Sequence, residues 1–138
     1  MPGVTRKLFD VLNVPVVFSG YEVGQAIMTG ETLNQLDHAH PLYIGYRHFS
    51  EHAQWMQDQF DGDISANASY DQTAVLFAVQ GLQPYWQLSS AGTVKVTDDG
   101  GNTWHPNEAG QHRYLIVKDV DAVTREVLSA MIGTSKLP

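Results

Sequence analysis

The run Val14-Pro15-Val16-Val17-Phe18 is apolar at every position. If it is extended, both its faces ask to be buried, because successive side chains point to opposite sides of a sheet. Parallel sheets covered by helices produce such strands, whereas an antiparallel sheet with one wet face alternates apolar and polar residues. Just upstream, Val4, Leu8, Val11 and Leu12 recur at helical spacing, so the segment reads as a helix feeding a strand. The expected class is therefore α/β. A parallel sheet needs several such strands and one is evident, so its neighbours are expected upstream of Met1, in sequence that precedes this chain.

At 138 residues and 43% hydrophobic content the chain can build one ordinary core. Fifteen acidic against eight basic residues give a net charge of −7 and a pI near 5.1. That balance argues against a nucleic-acid backbone or an anionic membrane surface as partner and admits a neutral or cationic ligand. There is no cysteine, which removes disulfides, thiolate metal sites and cysteine nucleophiles. No apolar run approaches the roughly 20 residues of a membrane span, and the start lacks the apolar core of a signal peptide.

After Ser19-Gly20 a connecting region carries Gly24 and Gly30, and residues 31–37 can form one or two helical turns. Over residues 41–60, Phe49, Ala53, Met56 and Phe60 fall on one stripe and Glu51, Gln54 and Asp58 on the other. This predicts one long helix with Pro41 at its start. Residues 61–69 are rich in Gly, Asp, Asn and Ser and read as a loop. Residues 70–79 fit either a buried helix capped by Asp71 or a buried strand, and periodicity leaves the two open. Residues 93–97 alternate as a strand, Asp98-Asp99-Gly100-Gly101 signals a hairpin, and a further strand spans 114–117. Asp119 then caps a helix carrying Val120, Val123, Val127 and Met131 on one face, with Gly133 just past its end.

Three constellations bear on chemistry. His38 and His40 in a loop, with His48 and His52 one turn apart on a helix, offer four imidazoles. No Glu stands between the second pair as in HExxH, so a solvated helix face outweighs a transition-metal site. Thr97-x-Asp99-x-Gly101-x-Thr103-Trp104 matches the Asp-box of sialidases and propellers. A single copy beside this much helix is a stabilised hairpin, with Asp99 and Thr103 satisfying the turn and Trp104 packing beneath it. Asp71 follows a polar loop and opens an apolar segment, a position that suits a helix cap or a hard-cation ligand. Caps are the commoner use.

Taken in order, these segments resemble the C-terminal portion of the inosine-uridine preferring nucleoside hydrolases. Leu12 through Gly30, with Ser19-Gly20-Tyr21-Glu22-Val23-Gly24, is similar to a strand and loop in the second half of that family. His40-Pro41-Leu42 and its helix fit the next element, and Tyr70-Asp71-Gln72-Thr73-Ala74-Val75 resembles the family's His-Asp-Pro-x-Ala-Val segment. The hairpin over 93–104, the strand at 114–117 and the helix over 120–132 resemble its closing elements.

The resemblance implies the C-terminal part of a Rossmann-type fold with a small hairpin and a terminal helix. It makes the 70–79 run helical and Asp71 a calcium ligand, the calcium holding ribose hydroxyls and the attacking water. It also puts Tyr70 where the better-known members place a leaving-group histidine. A phenol titrating near 10 is a poorer acid than imidazole, although it can stack on or hydrogen-bond to a base or sugar. The family's Asp-Thr-Asp-x-Asp-Asp signature, source of most calcium ligands and of the general base, has no counterpart in these 138 residues. Its mid-chain Asn and Glu residues are missing too. The implied activity is hydrolysis of a ribonucleoside N-glycosidic bond, with the missing N-terminal part or another copy as partner. The chain alone is expected to bind calcium weakly and to hydrolyse nothing.

Overall fold

The computed structural model describes residues 2–133. In chain order they form α1 (Pro2–Val11), β1 (Val16–Phe18), α2 (Tyr21–Ala26), β2 (Met28–Thr29), a 3-10 turn (Glu31–Gln35), α3 (Pro41–His52), a second 3-10 turn (Gln57–Gln59), β3 (Asn67–Ala68) and α4 (Tyr70–Gln80). Strands β4 (Trp86–Leu88), β5 (Gly92–Val96), β6 (Asn102–Pro106) and β7 (His112–Val117) follow, and α5 (Val120–Ile132) closes the described chain. The fold is mixed α/β with a mixed sheet and a C-terminal helix.

Strand β7 organises the sheet. On one side β1 lies parallel to it, with Val16 opposite His112 and Phe18 opposite Tyr114. On its other side β4 and β5 run antiparallel to successive stretches, Leu88 opposite Leu115 and Gly92 opposite His112. β6 pairs with β5 as the predicted hairpin. The parallel neighbour expected upstream of β1 thus comes from near the far end of the chain. β1 stands at the end of the strand order, and Val17 is 36% exposed, so an entirely apolar strand is covered on one side only among the described residues.

Helix α1 forms where predicted, but its regular stripe does not face the sheet: Val4, Leu8 and Val11 are all more than half exposed. Phe9 provides the anchor, its ring stacked on Phe18 at 5.8 Å and edge-on to His112 at 5.8 Å. A second expectation fails at α3. The helix stops at His52, because Ala53 turns extended (ψ 124°) and the chain doubles back through the second 3-10 turn. Phe60 therefore meets Arg47, whose guanidinium carbon lies 5.5 Å from the ring centroid, instead of extending a stripe with Phe49. Residues 70–79 take the helical alternative, burying Thr73 and Leu76 while Val75 and Val79 face outward.

Two apolar clusters result. One gathers Val23, Ile27, Leu76, Trp86, Leu115, Val123 and Val127; the other Leu33, Tyr43, Ile64 and Leu128. Helix α5 joins them, since Val127 and Leu128 belong to different clusters. Its ends are as predicted: the Asp119 side chain accepts from the Ala122 N–H at 3.0 Å and Gly133 takes the left-handed conformation at φ 77°.

Candidate functional site

The end of β1 and the start of α4 are fastened together by buried hydroxyls. Thr73 Oγ1 donates to the Tyr70 carbonyl at 2.8 Å, which leaves Ser19 to donate to Thr73 Oγ1, also at 2.8 Å. One turn earlier the Ser69 N–H is shared between the carbonyls of Gly24 (3.1 Å) and Ile27 (3.0 Å). The Ser69 hydroxyl does not cap α4; it pairs with Thr29 Oγ1 at 2.6 Å in the interior. Asp71 is likewise not the cap. It stands exposed in the first turn, where its charge is favourable beside the helix N-terminus.

Gly24 sets how closely Tyr70 approaches. A Cβ there would lie 2.3 Å from Tyr70 Cδ1 and 2.7 Å from Tyr70 Cα, so only glycine allows the contact. The Tyr70 ring stacks on Tyr21 with centroids 5.4 Å apart. A hydrogen bond with Tyr21, then partial desolvation, pushes the Tyr70 phenol above its ordinary value of 10.0, and it remains a neutral donor across the physiological range. The two residues singled out in the sequence diverge: Tyr70 rests on Tyr21, whereas Asp71 lines an apolar groove of about 320 Å³ between α4 and α5, with Val75, Val79 and Val127.

A larger cleft of about 590 Å³ opens past Phe18, between α1, the Ser19–Glu22 connection and the β5–β6 hairpin, its walls including Phe9, Phe18, Tyr21, Trp104 and Tyr114. Phe9 and Phe18 form one stacked pair; Trp104 meets Tyr114 edge-to-face at 5.0 Å. Gly92 makes room for the indole, because a Cβ there would lie 2.1 Å from Trp104 Cζ2. The Glu22 carboxylate folds back over Gly20, within 2.8 Å of where a Cβ would stand. This aromatic wall escaped the sequence reading. Its rings come from four regions of the chain, around residues 9, 18–21, 104 and 114, and the signal present, aromatic residues interrupting otherwise aliphatic patterns, did not show that they converge.

The other constellations take structural roles. His38 stacks on Tyr43 at 4.2 Å, His48 stacks on His52 at 4.1 Å, and His40 Nδ1 caps α3 by accepting from Leu42 N–H at 3.2 Å. The loop pair and the helix pair do not converge on one point. In the hairpin, Asp99 accepts from the Thr97 hydroxyl and from the Gly101 N–H, which hold its carboxyl below the ordinary 3.8, the Thr97 bond contributing most. Thr103 bonds His105 Nε2 at 2.9 Å, so it is Asp99 and Thr97, not Thr103, that satisfy the turn.

Calcium takes six to eight oxygen ligands. Asp71 offers at most two, and among the described residues no group of three or more His, Cys, Asp or Glu side chains gathers as a metal site. The residues present do not make a complete calcium site. No helix of the described residues is long and apolar enough to cross a membrane. Compared with models of known protein families, with curated proteins and with solved structures, the chain gives no match.

Proposed function

We propose that this chain is the C-terminal portion of a nucleoside-hydrolase-like enzyme, its α/β layers being part of a Rossmann-type fold. What supports the reading most is that the two segments carrying the resemblance, 14–24 and 70–75, meet at the C-terminal end of a parallel strand. Open α/β sheets bind ligands there. In this reading Tyr70, kept neutral with its proton engaged by Tyr21, stacks with Tyr21 and meets the base through its ring and hydroxyl oxygen. Ser19 and Thr73 hold the tyrosine's helix against β1, and Gly24 fixes the distance. Asp71 contributes one carboxylate to a calcium whose remaining oxygens, with the general base, come from an Asp-rich segment or a further chain.

A second reading, a binding module without catalysis, is favoured by the aromatic cleft, which needs no metal to hold a planar ligand. Release of ribose from inosine, uridine and adenosine, read as reducing sugar with calcium in excess, separates the two. The enzyme reading expects no turnover by the chain alone, turnover once the Asp-rich segment is supplied, and its loss in Asp71→Ala. Turnover by the chain alone, or full activity in Asp71→Ala, overturns it.

A further inference from the structure

We propose that the exposed stripe of α1 in one copy of this chain seats in the groove between α4 and α5 of the next, so that copies associate head to tail. The stripe is Val4, Lys7, Leu8 and Val11, at the i, i+3, i+4 and i+7 spacing by which a helix lies in an apolar groove. All four are exposed, and over residues 3–11 Phe9 alone is not. A helix of ten residues is marginal by itself, and this one is held by the Phe9 ring on Phe18 and His112 and by Arg6 to Asp98 at the surface. The groove shows the matching deficit. Residues 74–79 of α4 are all apolar, a pattern of helices buried on every side, yet Ala74, Val75, Ala78 and Val79 are exposed.

Reach, charge and area identify the occupant as a second copy. On β7, His112 lies under Phe9, whereas Leu115 packs with Leu76 and Val127. Residues an odd number apart on a strand point to opposite faces. The α1 stripe and the α4–α5 groove therefore flank opposite faces of the sheet, and the stripe cannot reach its own groove. Lys7 is the one charge on the stripe and makes no ion pair among the described residues, Arg6 taking Asp10 and Asp98. Asp71 is the one charge lining the groove. At 1.5 Å per residue the stripe from Val4 to Val11 is about 10.5 Å long and the groove wall from Asp71 to Val79 about 12 Å, so the two match in length. A compact monomer of 15.3 kDa exposes about 7,100 Å²; this chain exposes 8939 Å². The excess of about 1,800 Å² is close to the roughly 1,600 Å² that a standard interface buries in all, and a chain using one stripe and one groove buries that whole amount. Because stripe and groove are different surfaces, the contact is heterologous and grows into rings or filaments instead of closing as a two-fold dimer. The inference does not rest on the nucleoside reading.

The test is the mass of this chain in solution against its concentration, by sedimentation and light scattering, in a chelator that keeps calcium off Asp71. The mass is expected to rise with concentration past that of two chains. Leu8→Glu spoils the stripe and Val79→Glu the groove, both at exposed positions; each variant alone, with unchanged circular dichroism, is expected to stay monomeric. Mixed, they are expected to form a one-to-one pair that grows no further, because the Leu8→Glu chain keeps its groove and the Val79→Glu chain keeps its stripe. Lys7→Glu is expected to weaken association about fivefold, and Asp71→Lys in the same chain to restore it. A native chain that is monomeric at every concentration, a dimer that grows no further, or association that survives Leu8→Glu or Val79→Glu overturns the inference. So does failure of the two variants to pair, or of Asp71→Lys to restore Lys7→Glu. Association as described without ribose release once the Asp-rich segment is supplied sinks only the hydrolase reading; ribose release under those conditions with a monomeric chain sinks only this one.

Discussion

Two glycine-to-alanine replacements, both in helices, are expected to move stability in opposite directions. At Gly45, exposed on α3, an added Cβ meets nothing within 4 Å, so only the backbone term acts and Gly45→Ala should stabilise by about 0.5–1 kcal/mol. At Gly24 the same methyl would stand 2.7 Å from Tyr70 Cα and 2.3 Å from its ring. A rotamer change can move the ring but not the Cα. Relief therefore requires α2 and α4 to separate, which weakens the Ser69 N–H bond to the Gly24 carbonyl. Overpacking costs about 1–3 kcal/mol and the strained hydrogen bond about 1 more, against at most about 1 kcal/mol of helix propensity in a six-residue helix. The net is a loss of about 2 kcal/mol, or about 6–8 °C in Tm for a chain of this size. Thermal unfolding followed by circular dichroism gives the comparison directly. A Gly24→Ala protein melting at or above the parent, or melting together with Gly45→Ala, would refute the argument that this glycine is what lets Tyr70 seat on Tyr21.

Three further outcomes are expected. Thr29→Val leaves the Ser69 hydroxyl buried without its partner and should cost about 1–3 kcal/mol, whereas adding Ser69→Ala should restore most of the loss; equal stability of single and double variants in urea would contradict this. Asp119→Ala removes the side-chain cap of α5 and should cost about 0.5–2 kcal/mol, with Asp119→Gly only a few tenths worse than Asp, measured in the same titrations. Because the folded Asp99 carboxyl titrates below its ordinary 3.8, its contribution is complete above that value and is lost as pH falls through the lower folded one. Asp99→Asn should therefore flatten the acid limb of the stability profile below pH 3.8, and a carboxyl resonance titrating at or above that pH would exclude the bond to Thr97 as the cause.

Some of this architecture is written locally. Asp119 and Gly133 bracket α5 because a cap needs one side-chain oxygen and a stop needs one residue free to take positive φ, and both are properties of single positions. The Asp98–Gly101 turn and its flanking strands are local for the same reason, as is the start of α3 at Pro41. Where the outcome depends on what a segment meets, the residues were silent. The apolar run at 70–79 became a helix because Thr73 and Leu76 had Ser19 and the Val23–Trp86 cluster to pack against; a uniformly apolar segment has no period to announce that. The stripe over 41–60 was interrupted at Ala53, where Arg47 and Phe60 find each other only if the chain turns back. At the site, Tyr70 and Asp71 were legible as adjacent letters, but successive residues of a helix point about 100° apart, which sends them to different surfaces. Tyr21, Glu22 and Trp104 were legible only as part of a loop and a hairpin. Sequence determined which residues could stack, accept or cap; the parallel pairing of β1 with β7 decided which of them share a cleft, because proximity between residues 18 and 114 is a property of the sheet and not of either segment alone.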